Sequence, residues 1–190
     1  MTLKELKAAI RTPYFFWYQL GRLFPDEKPQ SMKVQLARLA KKGEIVRIKK
    51  GLYIFVGVDI DQLSLSSLIY RHSYVSLETA LNFYGLMPDI PIQVTAITTK
   101  ASRKFTTAQG VFTYSMVEKN LFFGYERHTD SSGANYDIAA AEKALLDWLY
   151  IRRISRMAAY RIEVNGLDQE KLQRFSKLFP DWVKKAIFHE

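Results

Sequence analysis

The sequence changes character abruptly at Gly51, where a run of cations gives way to Leu-Tyr-Ile-Phe. Six lysines and arginines fall within residues 38–50, and Gly43 interrupts the run. A solvated charge run does not need an apolar continuation, so the two stretches must belong to different elements. The pattern predicts a helix ending near Gly43, a strand over Glu44–Lys49, a tight turn, and a second strand over Leu52–Phe55.

Capping signals predict further helices before this segment. Thr2 and Glu5 match a capping box, which predicts a first helix. Thr12-Pro13 predicts a second helix that ends before Pro25, since proline suits the first turn of a helix. Pro29 or Ser31 opens the third helix, the one that ends near Gly43. Three helices followed by a two-stranded hairpin are the element order of a winged helix-turn-helix.

The positive charge is concentrated in this part of the chain. Up to Val56 there are twelve Lys or Arg against four Asp or Glu, a surplus of +8, and the rest of the chain contributes only +1. Such an asymmetry predicts a polyanionic partner for the N-terminal part. We place the boundary in the cation-free stretch Val56–Ser67, with one domain over residues 1–57 and another over residues 63–190.

Composition also excludes several classes of protein. The chain has no cysteine, which excludes disulfides and thiolate zinc sites. The first 20 residues hold no continuous apolar region of the signal type, and no apolar run approaches the roughly 20 residues of a membrane span. We therefore expect a cytoplasmic protein with no membrane partner.

A helical wheel divides the third helix into two sides. The side expected to pack inward comprises Met32, Leu36, Leu39 and Ala40. The opposite side carries Gln30, Val34, Ala37, Arg38 and Lys41. Small apolar residues on an exposed side let the backbone approach the major groove of DNA, where Val34 suits a thymine methyl group. Gln30 and Arg38 have the donors to read adenine and guanine edges.

The flanking cations suit phosphate contacts, which position a protein without reading sequence. An alternative for Lys41 and Lys42 is a solvated helix end that compensates the helix dipole. The full set of predicted DNA-binding residues is Lys28, Gln30, Ser31, Lys33, Val34, Arg38, Lys41, Lys42, Arg47, Lys49 and Lys50. An isolated fragment ending near residue 60 should therefore retain DNA binding.

The remainder of the chain predicts a mixed α/β domain, so the expected fold class is α+β. Ser76 is the predicted cap of a helix that Pro88 ends, and two short helices flank Pro180. Alternating apolar residues predict strands within residues 91–100, 103–117 and 121–127. Residues 137–151 predict another helix, whose inward residues are Ala141, Ala144, Leu145, Trp148 and Leu149.

Five segments resemble the AbiEi family of antitoxins and transcriptional regulators from type IV toxin–antitoxin systems. They are "LARLAKKGEIVRIKKGLYIF", "YVSLETALNFYGLMP", "VTAITTKASRKF", "GVFTYSMVEKNLFFGY" and "IAAAEKALLDWLY", in that order. The resemblance implies a winged helix that binds double-stranded DNA and represses its own promoter, with a C-terminal domain responsible for antitoxicity. The implied partner is a nucleotidyltransferase-like, AbiEii-like toxin that forms no stable complex with the antitoxin. The alternative is an interaction module that binds and blocks the toxin directly, with DNA binding secondary.

Charged residues of the C-terminal part are the candidates for an antitoxin surface. Glu142, Lys143 and Asp147 have helical spacing, which favours an exposed, salt-bridged face over a role in antitoxicity. Arg152, Arg153 and Arg156 lie at a predicted helix end, where they suit compensation of the helix dipole. The alternative is contact with nucleic acid or an acidic partner, as it is for residues 100–104. The complete candidate set is Lys100, Arg103, Lys104, Glu142, Lys143, Asp147, Arg152, Arg153 and Arg156.

The sequence offers no convincing catalytic or metal-binding pattern. His72, His128 and His189 are far apart in the chain, and none has a second ligand at metal spacing. The stretch from Asp89 to Thr98-Thr99-Lys100 is similar to a divergent nuclease signature, but Thr98 stands where a second carboxylate would bind metal. We therefore expect no catalytic residues, no metal, no cofactor and no enzymatic activity.

Overall fold

The computed structural model describes residues 1–157 and 160–188, which form a mixed α+β fold with two sheets, and the α+β prediction is confirmed. His189 lies outside the described residues. The α-helices in this part of the chain are α1 (Leu3–Ala9), α2 (Trp17–Leu23), α3 (Pro29–Lys41), α4 (Gln62–Ile69), α5 (Leu77–Phe83), α6 (Ala141–Arg152), α7 (Gln169–Ser176) and α8 (Asp181–Phe188). The strands are β1 (Tyr14–Phe16), β2 (Ile45–Lys49), β3 (Leu52–Phe55), β4 (Ser73–Val75), β5 (Val94–Thr98), β6 (Arg103–Thr107), β7 (Gly110–Met116), β8 (Tyr125–Thr129) and β9 (Asn135–Ala139).

The predicted start of α1 and both ends of α3 are confirmed. The Thr2 hydroxyl accepts a hydrogen bond from the Glu5 backbone N–H at 3.3 Å, and the Glu5 carboxylate accepts one from the Thr2 N–H at 2.7 Å, which completes the capping box. Pro29 occupies the first turn of α3. Gly43 follows the helix with a φ of 70°, a left-handed conformation that glycine adopts without strain.

The prediction of a helix starting at Thr12-Pro13 is wrong. Residues Tyr14–Phe16 form β1 instead, and the helix begins only at Trp17. β1 pairs with β3, and the Pro13 carbonyl accepts a hydrogen bond from the Phe55 N–H at 3.0 Å. Consecutive aromatic residues fit a pleated surface well, so tertiary pairing with β3 outweighs the helix-start signal of proline. The first sheet is therefore three-stranded, in the antiparallel order β1-β3-β2.

The second sheet has six strands, in the order β6-β7-β5-β4-β9-β8. The β4–β9 and β5–β7 pairs are parallel and the other neighbours are antiparallel. Helix α5 contacts both α6 and β5, and α7 and α8 pack on α6. The two predicted short helices around Pro180 are confirmed as α7 and α8.

Two hydrophobic clusters cover the opposite faces of the first sheet. Phe15 and Phe55 face a small cluster with α1, α2 and α3. Ile48, Leu52 and Ile54 face the large cluster, which also contains the buried side chains of the second sheet. A fragment ending near residue 60 would expose this second face to water, so experiments on the N-terminal half require the full chain.

No helix among residues 1–157 and 160–188 is long and apolar enough to cross a membrane.

Candidate nucleic-acid interface

Helix α3 buries one side and exposes the opposite side, as the helical wheel predicts. Met32, Leu36 and Leu39 are buried against the small cluster. The residues on the opposite side, Gln30, Val34, Ala37, Arg38 and Lys41, are all exposed. Val34 keeps 43% of its surface in water, although it is β-branched and apolar. An exposed apolar side chain between Gln30 and Arg38 is compatible with a helix that contacts base edges.

Hydrogen bonds fix the beginning of α3. The Gln35 amide donates to the Glu27 carboxylate at 3.2 Å and to the Ser31 hydroxyl at 3.0 Å. Ser31 donates in turn to Glu27 at 3.3 Å. The Ser31 hydroxyl therefore already has hydrogen-bond partners within the protein, although the residue is exposed. Glu27 orients the first turn of α3.

A groove of about 540 Å³ separates α3 from the β2–β3 hairpin. Its cationic walls are formed by Lys33 of α3 and by Arg47 and Lys50 of the hairpin. The Lys33 Nζ lies 5.9 Å from the centroid of the Trp17 ring, within the range of a cation–π contact. Tyr53 also lines the groove. Sequence reasoning missed Trp17 and Tyr53, and for Trp17 the aromatic run at residues 14–18 was the available signal.

The predicted DNA-binding cations other than Lys49 share two properties. They are exposed, and among residues 1–157 and 160–188 none of them forms an ion pair with a carboxylate. They are Lys28, Lys33, Arg38, Lys41, Lys42, Arg47 and Lys50. Unpaired cations on adjacent elements create a positive potential that attracts a polyanion.

Lys49 does not belong to this surface, contrary to the prediction. Its side chain is half-buried and its ammonium donates to the Ile69 carbonyl at the end of α4. Burial lowers the pKa of Lys49, and the nearby charges of Arg71 and Lys100 lower it further. The reason is a register shift in β2 between Arg47 and Lys49, which breaks the two-residue alternation that would place both cations on one face.

Glu142, Lys143 and Asp147 do not form an exposed face, so this prediction is wrong. All three are buried, with exposed fractions of 5%, 0% and 0%. Lys143 donates to the Asp147 carboxylate, and to the Tyr74 hydroxyl at 2.9 Å. Asp147 also accepts from Tyr74 at 3.0 Å and from Ser76 at 2.9 Å. Ser76 sits at the predicted cap position of α5, but it makes no capping hydrogen bond to that helix.

The surroundings of this pair are aromatic. The Lys143 ammonium lies 5.0 Å from the Phe123 ring centroid and 5.1 Å from that of Phe179. Burial raises the pKa of Asp147 and lowers that of Lys143, because desolvation disfavours both charged forms while their mutual attraction opposes it. No solvent reaches these groups, so they cannot contact a partner. Their role is to join α6 to β4.

Glu142 connects two helices. Its carboxylate accepts from the Asp168 N–H at 3.1 Å and lies 3.1 Å from the Lys171 ammonium. The contact holds the start of α7 against α6.

The other candidate antitoxin residues are exposed and lie in separate places. Lys100 follows β5, and Arg103 and Lys104 lie on β6, an edge strand. Arg152 forms a bidentate ion pair with Glu78 at 2.6 and 2.9 Å, and the hydrogen bonds raise its pKa.

The last two arginines of the set follow α6. Arg153 ends the helix with a φ of 57°, and its guanidinium lies over the Tyr150 and Trp182 rings. Arg156 is exposed beyond it. Of the candidate set, Lys104 and Arg152 line one groove, a cavity of about 510 Å³ that Ile90 and Ile92 also line.

The nuclease-like pattern is not assembled into a site. Thr98 is buried and donates to the His72 carbonyl at 2.9 Å, whereas Asp89 is exposed on a loop. Within the described ranges, no three His, Asp or Glu side chains are placed to hold a metal ion. In comparisons with known proteins, the chain matches no protein-family model and no curated protein.

Proposed function

We propose that this protein binds double-stranded DNA through a winged helix-turn-helix and represses its own promoter. The supporting observation is the exposed side of α3, flanked by cations that have no carboxylate partner in the described part of the chain. The order of α1–α3 and the β2–β3 hairpin, and their packing around one small hydrophobic cluster, support this proposal. In this proposal α3 is the recognition helix and the hairpin is the wing.

Each exposed group then has a defined role. Arg38 presents the paired donors that guanine accepts, and Gln30 presents the donor and acceptor that adenine requires. Ala37 allows close approach of the backbone, and Val34 meets a thymine methyl group. Lys33 and the wing cations bind phosphates and fix the register of the protein on the duplex.

The proposal includes antitoxicity as the role of the C-terminal part, without enzymatic activity of its own. Its support is the resemblance of five sequence segments to the AbiEi family, which implies a nucleotidyltransferase-like toxin and no stable complex with it. In this reading the protein acts in the cytoplasm.

A second candidate is a module that binds its toxin directly. The observation that favours it is the apolar loop beside the Lys104–Arg152 groove, where Ile90 and Ile92 are 84% and 100% exposed. Fully exposed isoleucines next to a groove are typical of protein interfaces. Size-exclusion chromatography of the co-expressed pair distinguishes the candidates, because only the second predicts co-elution.

Replacing Arg38 with alanine should cost about 1–3 kcal/mol of binding free energy on promoter DNA and relax the preference at one base pair. Lys50→Ala should instead weaken binding to all sequences similarly, because a phosphate contact carries no sequence information. Fluorescence anisotropy with the promoter duplex and a set of single-base variants measures both effects. Equal losses for the two variants on every duplex would contradict the proposed orientation of α3.

Replacing Lys49 with methionine should leave DNA affinity close to that of the wild type, whereas the matched variant Lys50→Met should lower it. Lys49 contacts Ile69 rather than the groove. Its lowered pKa also predicts a pH effect: as pH rises through that pKa towards the ordinary value of 10.5, the wild type should gain stability relative to Lys49→Met. Urea unfolding across this range checks the sign. If Lys49→Met lost as much DNA affinity as Lys50→Met, Lys49 would belong to the DNA interface after all.

A further inference from the structure

A polar pocket lies where the first sheet meets the second, and it shares no lining residue with the groove between α3 and the β2–β3 hairpin. Its volume is about 520 Å³, which is the size range of small-molecule sites. β1, the α4–β4 connection, β8 and β9 each contribute to its wall. The residues relevant to its chemistry are Tyr14, Arg71, His72, Tyr125, Arg127 and Asp137.

Arg71 is fixed in place but only partly used. Its guanidinium lies 4.5 Å from the centroid of the Phe16 ring, and one N–H donates to the Tyr18 hydroxyl at 3.1 Å. In the part of the chain that the structure describes, no carboxylate pairs with it. A guanidinium has five N–H donors in a planar arrangement, so Arg71 retains donors for an oxyanion.

His72 is held in a strained backbone conformation beside Arg71. Its φ is 61°, a left-handed value that residues other than glycine seldom adopt. The Thr98 hydroxyl donates to the His72 carbonyl at 2.9 Å and maintains this conformation. Strain of this kind concentrates at ligand sites, where it directs a side chain.

The charged side chains that line the pocket are two arginines, Arg71 and Arg127, and one aspartate. Its one carboxylate, Asp137, is already paired with Arg127 at 2.9 Å. Lys49 and Lys100 add positive charge near Arg71, which is consistent with the lowered pKa of Lys49. The pocket therefore favours an anionic ligand.

An aromatic surface stands on the wall formed by β8. The Tyr125 ring stacks on Tyr74 with centroids 4.7 Å apart and an angle of 16° between the planes. Tyr74 is fully buried and fixes the Tyr125 ring, which remains 37% exposed and lines the pocket. A supported aromatic ring with an accessible area is a stacking surface for a nucleobase.

We propose that this pocket binds a nucleoside phosphate, with the base on Tyr125 and the phosphate at Arg71 and His72. A polar cavity, an anchored arginine without a carboxylate and a supported tyrosine together match both halves of such a ligand. The ligand is either a free nucleotide or the phosphorylated end of a single nucleic-acid strand. The inference does not depend on DNA binding by α3.

Isothermal titration calorimetry of the full chain tests the proposal with ATP, GTP, CTP and UTP, and with a short 5′-phosphorylated single strand. Adenosine and inorganic triphosphate are the controls for the two halves of the ligand. We expect at least one phosphorylated ligand to bind more tightly than either control, at concentrations up to about 1 mM. Binding of mononucleotides identifies a free nucleotide as the source, and binding of the oligonucleotide alone identifies a strand end.

Variants locate the ligand in the pocket. Arg71→Gln and Tyr125→Leu should each weaken binding about tenfold or more, because one removes a charge-assisted contact and the other removes stacking. Arg174→Gln, which removes an exposed cation on α7, is the matched control and should bind like the wild type. Circular dichroism shows which variants are folded, and two independent positions guard against loss of folding in one. The proposal is overturned if no nucleoside phosphate binds the folded wild type, if inorganic triphosphate binds equally well, or if the folded pocket variants bind like Arg174→Gln.

Discussion

Replacing Lys143 with methionine is expected to destabilise the protein by about 3–5 kcal/mol, which is the usual cost of removing one partner of a buried ion pair. The variant keeps most of the side-chain volume but leaves the Asp147 carboxylate buried without its cation. Tyr74 and Ser76 still donate to that carboxylate, yet two neutral donors do not replace an ammonium. Urea unfolding at neutral pH measures the loss.

An exposed pair on α8 provides the matched control. Lys184 and Asp181 are also a lysine and an aspartate one helical turn apart, but their side chains are 34% and 84% exposed. Lys184→Met should therefore cost no more than about 0.5 kcal/mol. Equal costs for the two lysine variants would mean that the Lys143 pair is not structural. A folded Lys143→Met protein of normal stability that fails as an antitoxin would assign it a functional role.

Reversing three cations of the proposed interface, Lys33→Glu, Arg38→Glu and Lys50→Glu, is expected to weaken DNA binding about a hundredfold or more at moderate salt and to abolish repression. The three side chains are exposed and unpaired in the described residues, so each change should alter stability by only about 0.5 kcal/mol. Electrophoretic mobility shifts and a promoter reporter measure the two effects. Circular dichroism confirms that the triple variant is folded.

A second triple variant controls for net charge. Lys119→Glu, Arg174→Glu and Lys177→Glu change the total charge by the same amount on exposed positions away from α3. This control should retain most of the affinity. If both triple variants lose DNA binding equally, the effect is one of total charge, and α3 with the wing is not the interface.

The same reversal separates regulation from antitoxicity. Expressed from an independent promoter, the Lys33→Glu, Arg38→Glu and Lys50→Glu variant should still rescue growth in the presence of the toxin, because the C-terminal part is unchanged. A folded variant that no longer rescues growth would mean that nucleic-acid binding takes part in neutralisation.

Local signals in the sequence were sufficient for α3 and for the hairpin that follows it. The periodicity of Met32, Leu36 and Leu39 predicted which side of the helix is buried, and Gly43 and Gly51 marked the two turns. The same signals failed for β1, because a strand of three residues is defined by its partner β3 rather than by its own sequence. The prediction for Lys49 was wrong for a related reason, because the register shift in β2 depends on its pairing with β3.

The buried Lys143–Asp147 pair shows a different limit. Lysine and aspartate four residues apart are typical of an exposed helix face, and nothing in that spacing indicates burial. The available signal was the composition of α6, in which eight of the twelve residues are apolar, as expected for a largely buried helix. The hydroxyls of Tyr74 and Ser76, which make burial of the pair tolerable, come from a distant part of the chain.

The salt dependence of promoter binding by the full chain tests the central claim most directly. The logarithm of the binding constant should fall linearly with the logarithm of the salt concentration, with a slope of about −0.9 for each phosphate neutralised. The Lys33, Arg38 and Lys50 reversal should make this slope shallower by about 2 to 3, while the control reversal of Lys119, Arg174 and Lys177 keeps it. A slope near zero for the wild type, or equal slopes for the two triple variants, would contradict DNA binding through α3 and the wing.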